Sequence, residues 1–383
     1  MSKERTLKFF PLTGDLVPAC NNFNDRLRAA GFDGQFSSSP NAGRDGDIPC
    51  PMQVERYVGI DEEGDVRGAY LLRWQFLWLR GETFLGAAYG YPISEGVVNK
   101  KYAMVGVSVL RDATKRCEHL YVLGGSGREG NVFRIARHAG WELQDVPFLF
   151  RVIRGGPFLR KLPQMRSQKG RILVAKIGSS TGLSGIAVKI LHGGSALYHG
   201  GRSSLRQPSD VTVEEVNTFS GIGDELWLRV RSQYGFCVVR DGSHLEPMFP
   251  PSRSDLHRLI VRRQGTVIGW TVVMTQSLSR LQSYLGDVAP GLIVDAFGDV
   301  NEASHIVRAA TAYLADKAVD AVLTNASHGR WIAAYKHAGF LSRPSQFPLI
   351  VSRSLARRIG NLSLMMAETH MSRGDGDGVH YLR

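Results

Sequence analysis

The chain has 383 residues, 43% of them hydrophobic and 21% charged, with a formal net charge of +12. Those proportions describe a globular protein of two ordinary domains, each long enough to bury its own core, and not a disordered or fibrous chain. No run of about 18 uncharged apolar residues occurs and Met1–Phe10 has no long apolar core, which argues against a helical membrane span and a secretory signal. Cys20, Cys50, Cys117 and Cys237 stand far apart with no Cys-x-x-Cys, which argues against a zinc ribbon or disulfide scaffold and suits a reducing, cytoplasmic setting.

Along the first half, Asp25–Ala30 reads as a helix ending at Gly31-Phe32. Gln53–Ile60, Gly68–Leu79 and Thr83–Ile93 read as strands separated by the turns Glu62–Asp65 and Gly81-Glu82. Tyr70, Trp74, Phe76 and Trp78 fall on one face of the second strand, as expected for core or a domain interface; an open face would instead offer a sugar-stacking platform. Asn99–Lys115 is a helix with Asn99 at its N-cap. A β-run (His119–Leu123), a short amphipathic stretch (Asn131–His138) and a second β-run (Val146–Ile153) follow.

From Val146 to Ser209 there is no Asp or Glu, against eleven basic residues: Arg151, Arg154, Arg160, Lys161, Arg166, Lys169, Arg171, Lys176, Lys189, Arg202 and Arg206. Such a segment attracts polyanions such as tRNA, an anionic lipid surface or a phosphate-bearing ligand; its plainer role is a solvated interdomain linker. The second half repeats the earlier order. Glu225–Gln233 is a helix, His257–Arg263 and Val267–Thr275 are strands, and Leu281–Phe297 holds one or two more. Asn301–Lys317 is an amphipathic helix with Ile306, Ala309, Ala310, Tyr313 and Leu314 on one face. The β-runs Ala321–Thr324 and Phe347–Val351 flank a further helical stretch.

The repeat is legible in the residues themselves. Asn131–Trp141 and Arg330–Phe340 both end in basic-His-Ala-Gly-aromatic, between matching β-runs. Two copies imply a duplicated domain and not a solenoid. Three strands, a helix, a strand, a helix and a strand, closed by Tyr335-Lys-His-Ala-Gly-Phe340, resemble the GNAT acyltransferase fold. Two such units in one chain are similar to the Fem-type aminoacyl transferases and to acyltransferase-like proteins of bacterial exopolysaccharide production. The tail Ser372-Arg-Gly-Asp-Gly-Asp-Gly378 resembles acidic tails of the latter.

The resemblance implies an α/β chain of two tandem GNAT-like domains, each a mixed, mostly antiparallel sheet flanked by helices. Residues 1–155 and 209–383 form the domains and 156–208 a basic connection, with a binding cleft expected between them. It implies acyl transfer to an amine or hydroxyl of a cell-surface polysaccharide precursor. The donor is an acyl-CoA or, in the Fem-like alternative, an aminoacyl-tRNA; a non-catalytic scaffold or ligand-binding role is the third reading.

Tyr335 resembles the family's proton donor to the leaving thiolate, and its counterpart in the first half is Ala136. Asp295, with Asp287 as the other option, lies where a strand carboxylate of raised pKa could serve as base. Asn325 and His328, at a strand end, are placed to touch substrate, whereas the matched His138 and His337 read as structural. The phosphate turn of the first half, Ser94–Lys101, carries Lys100 and Lys101; that of the second, Phe297–Glu302, carries Asp299 and Glu302, which repel a pyrophosphate. Gly125-Ser-Gly-Arg-Glu-Gly130 spells G-x-G-x-x-G without the acid that a dinucleotide fold needs, leaving a turn with an anion contact through Arg128. Asp375 and Asp377 lack the further ligands of a calcium loop, so a mobile tail is expected there.

Overall fold

The computed structural model describes residues 7–43, 49–124, 130–155, 207–275, 288–343 and 347–376. The first half runs β1 (Lys8–Pro11), α1 (Val17–Ala29), β2 (Val54–Ile60), β3 (Val66–Leu79), β4 (Glu82–Ser94), α2 (Val105–Arg116), β5 (Leu120–Leu123), α3 (Asn131–His138), β6 (Glu142–Asp145) and β7 (Phe148–Val152). The second runs β8 (Val211–Val216), α4 (Ile222–Val230), β9 (Phe236–Val238), α5 (Gly242–Met248), β10 (Leu256–Arg263), β11 (Thr266–Met274), β12 (Pro290–Gly298), α6 (Ala303–Asp316), β13 (Ala321–Asn325), α7 (Gly329–His337), β14 (Leu341–Arg343) and β15 (Pro348–Val351). Helices α8 (Arg353–Ile359) and α9 (Leu362–Met365) and strand β16 (Thr369–His370) close it.

The strands form two mixed, mostly antiparallel sheets flanked by helices, giving two GNAT-like domains. The first sheet is ordered β1-β2-β3-β4-β5-β15-β6, and the second β14-β7-β13-β12-β11-β10-β8. In each main path a single parallel pair, β4–β5 or β12–β13, interrupts antiparallel neighbours. The duplication extends to single residues. Gly68 on β3 pairs with Ser94, and Gly269 on β11 pairs with Gly298. A Cβ on Gly68 would meet Val105 and Val109 of α2 at 2.7 and 2.8 Å, and one on Gly269 would meet Ile306 of α6. Each glycine therefore lets the crossing helix lie close on its sheet.

The His-Ala-Gly-aromatic signature is a helix stop. Gly140 and Gly339 sit at φ +80° and +81°. Trp141 N–H reaches back to the Ala136 carbonyl and Phe340 N–H to that of Tyr335, both at 3.0 Å. These are the six-to-one bonds of a Schellman cap, which needs glycine at the left-handed position and buries the apolar residue after it.

Val146–Ile153 and Phe347–Val351 form strands as their patterns require, but each completes the sheet of the other half. β7 lies between β13 and β14, with Leu149 opposite Thr324 and Ser342. β15 lies between β5 and β6, with Ile350 opposite Val122 and Leu143. The exchange also covers the helix stops. Arg151 of β7 packs over Gly339 and donates to the Ala338 carbonyl, and Arg353, just past β15, packs over Gly140. Strand β3 ties the halves once more by pairing its end, Leu77–Leu79, with β9. Burial closes the aromatic face of β3. Tyr70 stacks on Tyr57 beneath α2, and Trp78 meets Trp227 of α4 edge-on with centroids 5.7 Å apart, so the sugar-platform alternative does not apply.

Element ends differ locally from expectation. α1 starts eight residues before Asp25, because Pro18 suits a first helical turn and overrides the weak apolar signal there. Asn99 caps only the short 3-10 turn Lys100–Tyr102, and α2 begins at Val105. Strand β9 and helix α5 carry no strong periodicity and were not expected. Among the described residues no helix is long and apolar enough to cross a membrane.

The exchange makes covalent continuity between the halves dispensable once they have folded. Cleavage at a protease site engineered between residues 156 and 206 is expected to leave both fragments co-eluting in size-exclusion chromatography until denaturant is added. Separation in native buffer would contradict the exchanged ladders.

Candidate functional site

The two halves part their sheets at equivalent places and treat the resulting gaps differently. In the first half β4 and β5 are paired only at Ala87–Leu120 and Ala88–Tyr121. Beyond that point β4 swings away, and a pocket of about 290 Å³ opens against α2 and α3, lined among others by Tyr89, Ser94, Gly96, Gly106, Asn131 and Ile135. The turn at its edge is braced. Glu95 is buried and bonds both Arg67 (3.1 Å) and Arg26 (3.3 Å), so its charge is compensated, and Ser94 Oγ accepts from Gly96 N–H. Lys100 and Lys101 are exposed on the turn leading into α2 and flank the pocket without lining it. A second groove of about 760 Å³ adjoins it along α2 and α3, where Arg111, Lys115, Arg134 and His138 are joined by Arg353 from beyond the exchanged β15. A cleft between the halves was expected; a third pocket of about 390 Å³ lies there, between Phe76 and Thr83 on one side and Trp227, Asp241 and His244 on the other.

In the second half β12 and β13 are paired over Pro290–Leu292 and Ala321–Leu323 before they part. Side chains of the chain itself occupy this gap. Tyr234 stacks on Phe297 at 4.5 Å and donates to the Gly298 carbonyl at 2.6 Å. Trp331 Nε1 donates to the Tyr234 hydroxyl at 3.1 Å, and His370 packs edge-on against Tyr234 and Phe297. At the turn before α6 both acids are engaged within the chain. Asp299 Oδ1 takes the Asn301 N–H (2.9 Å), and Glu302 pairs with Arg263 (3.1 Å).

Behind this gap lies a buried ionic cluster. Arg240, with no exposed surface, donates Nε to Asp295 at 3.0 Å and Nη2 to both carboxylate oxygens of Asp375 at 2.7 Å. His370 Nε2 lies 3.4 Å from Asp295 Oδ1, which also accepts the Ala296 N–H at 2.9 Å. Burial alone would raise the Asp295 pKa, but the Arg240 charge and the His370 contact outweigh it and hold the carboxyl below its usual range. The raised pKa expected of a base at Asp295 is therefore reversed. Asp375 corrects a second expectation. Residues 372–376 are not a loose tail, because Ser372 and Asp375 form a capping box and Asp375 is fully buried. Asp377 lies outside the described residues.

The remaining expected site residues separate into three groups. Tyr335, Asn325 and His328 gather at the filled second gap. Tyr335 is 2% exposed, and burial pushes its phenol well above the ordinary range despite a hydrogen bond with Thr324. Asn325 bridges the Pro147 carbonyl (3.2 Å) and Arg373 (2.7 Å). His328 caps α7 by accepting the Arg330 N–H at 3.2 Å. Burial first, and repulsion from His370 second, lower its pKa to about 4. Lys100 and Lys101 stand at the first half. Asp287, Arg128 and the basic segment between 156 and 206 lie outside the described residues. His138 Nδ1 turns onto its own helix, 2.7 Å from the Arg134 carbonyl, in keeping with a structural part. Sequence reasoning missed Arg240, Tyr234 and His370, which belong to no motif; the Ser372-x-x-Asp375 spacing was the one available sign that the tail folds.

Two outcomes follow from this electrostatics. Arg240→Met strands two buried carboxylates and is expected to cost about 3–5 kcal/mol, read as a lower urea midpoint, whereas Arg262→Met on the surface shifts it little. His328, lowered in the fold to about 4, contributes stability above its unfolded pKa of about 6.5 and loses it as pH falls from there toward the folded value. The loss is on the order of 3 kcal/mol. His328→Asn keeps a capping side chain and is expected to flatten the stability profile over that acid limb.

No protein-family model matches the chain, and no curated protein matches it. The solved structures that share its fold over both halves include two with TM-scores just above 0.5. One is a conserved protein of unknown function from Enterococcus faecalis, described as a probable N-acyltransferase, with TM-score 0.51 and 10% identity over 91% of this chain and 73% of that one. The other is a GCN5-related N-acetyltransferase from Anabaena variabilis, with TM-score 0.52 and 9% identity over 90% of this chain and 72% of that one. The chain has the fold of the GCN5-related N-acetyltransferases, in two copies that exchange their last strands.

Proposed function

We propose that the chain is an acyltransferase that holds an acyl-CoA in its first half and transfers the acyl group to an amine or hydroxyl, with a cell-surface polysaccharide precursor as the acceptor class. The observation that carries this reading is the contrast between the gaps: the first opens into a pocket, and the second is filled by Tyr234, Trp331 and His370. The N-terminal turn of α2 borders the pocket through Gly106 and Val107, and the positive end of its dipole suits a pyrophosphate, with Lys100 and Lys101 alongside. The acceptor lone pair attacks the thioester carbonyl. A C–N or C–O bond forms as the C–S bond breaks, and the acceptor's proton leaves with the thiolate as free CoA thiol. The first-half position matching Tyr335 is Ala136, so a tyrosine there is not the proton donor. In this reading Asp295 and Tyr335 hold the second half in shape, and the reacting groups belong to the first.

Gly106 lines the pocket in the first turn of α2, and its Cβ position faces the end of Ile135. Gly106→Trp therefore fills the cavity without touching the second half. A thermal-shift panel of acyl-CoAs is expected to stabilise the wild type, by about 2.7 kcal/mol at 100 times the dissociation constant, and to lose that effect in the variant. Stabilisation by aminoacyl-tRNA alone, or by no acyl-CoA, would overturn the reading. Tyr335→Phe should leave the donor effect intact.

A further inference from the structure

The groove along α2 and α3 has an apolar floor and a basic rim. Leu110, Ile135 and Trp141 form the floor, and the volume of about 760 Å³ suits one small ligand. On the rim, Arg111 and Lys115 stand one turn apart on α2, Arg134 and His138 one turn apart on α3, and Arg353 opens α8 beyond the exchanged β15. No Asp or Glu lines the groove. Glu118, at its margin, accepts from Ser354 Oγ at 3.0 Å, and Asp112 of α2 turns to Tyr70 and Arg116. Arg134 bonds the neutral Asn131 side chain at 3.0 Å. Among the described residues Arg111, Lys115 and Arg353 make no ion pair and no side-chain hydrogen bond.

The second half shows that the scaffold does not need these charges. Counting back from the strands that follow, which start at Leu120 and Ala321, Arg111 corresponds to Ala312 and Lys115 to Asp316. Counting back from the stop glycines, Arg134 corresponds to Ala333. The exchanged arginines differ in the same way. Arg151, over Gly339, is buried and donates to the Ala338 carbonyl, whereas Arg353, over Gly140, is exposed and unpaired. Lys115 and His138 lie in last turns, where the helix dipole favours a cation. Arg111 and Arg134 stand a turn earlier, and Arg353 is at a helix start, where the dipole disfavours one. Cations from three helices thus repel one another over an apolar floor, and a dianion relieves that repulsion better than a single carboxylate. We infer that the groove binds a phosphate monoester carried on a hydrophobic chain. Arg111, Lys115, Arg134 and Arg353 surround the phosphate, and the chain lies over Leu110, Ile135 and Trp141, where its burial is favourable. This ligand is distinct from the acyl-CoA, whose pocket lies at the start of α2 and α3 and not along their later turns.

The test is calorimetric titration of the full-length chain with hexyl phosphate, inorganic phosphate and hexanol at constant ionic strength. Hexyl phosphate is expected to bind saturably and about tenfold tighter than inorganic phosphate, and hexanol not to bind. Arg111→Ala combined with Lys115→Asp places the second half's residues at exposed helical positions, so the fold is kept, with the melting temperature as its check. This variant is expected to weaken hexyl phosphate about tenfold. Thr114 is exposed in the groove and does not line the donor pocket. Thr114→Trp is therefore expected to abolish hexyl phosphate binding and to spare that of acyl-CoA. No hexyl phosphate binding by the wild type, equal affinity for inorganic phosphate, or binding that survives both variants overturns the site. Displacement of hexyl phosphate by free CoA also overturns it, because the groove is then part of the donor pocket. Acyl-CoA binding without a hexyl phosphate response removes this inference alone, and the reverse result removes the donor assignment alone.

Discussion

The exchange of β7 and β15 is the constraint on which the rest of the molecule depends. A strand inserted between two others fills both of its hydrogen-bonding edges, and here each inserted strand comes from the opposite half. Neither sheet can close unless the other half has folded beside it, since an open central slot would leave two rows of backbone groups unpaired. The halves are thereby fixed in one relative position. Arg151 and Arg353 follow from the same exchange, each lying over the helix-stop glycine of the partner half.

Fixing the halves against each other creates an interior that neither would have alone. Arg240 and Asp295 come from the body of the second half and Asp375 from its last described turn, and that turn also meets Arg73 and Tyr121 of the first. Charges are tolerated there because Arg240 satisfies both carboxylates at once. The cluster explains why the Asp295 carboxyl is held low: a carboxylate that accepts a guanidinium bond and a backbone N–H is stabilised as the anion. It also fills the room that a ligand of the second half would require. The duplicated fold has diverged into a half whose gap is open and a half whose gap is packed with aromatic rings.

Much of the architecture was legible in the residues. The duplication shows in His138-Ala-Gly-Trp141 and His337-Ala-Gly-Phe340 because a Schellman stop demands glycine at one position and an apolar residue after it. The long strands showed through β-branched and aromatic content, and α6 through its apolar stripe. The site was far less legible. Arg240, Tyr234 and His370 carry no spacing rule, and what matters about each is a partner brought close by the fold.

The sequence by itself determined that a unit occurs twice, what its elements are and how its helices end, because periodicity, propensity and capping act over a few residues. Only the tertiary structure decided which sheet each final strand enters. A strand's alternation sets which side chains face the core but says nothing about whose edge it completes, and both halves offer edges of the same pattern. The same holds for the charges. Whether a carboxylate is a base or an ion-pair partner depends on the dielectric and the counter-charge around it, and those exist only once distant segments have met.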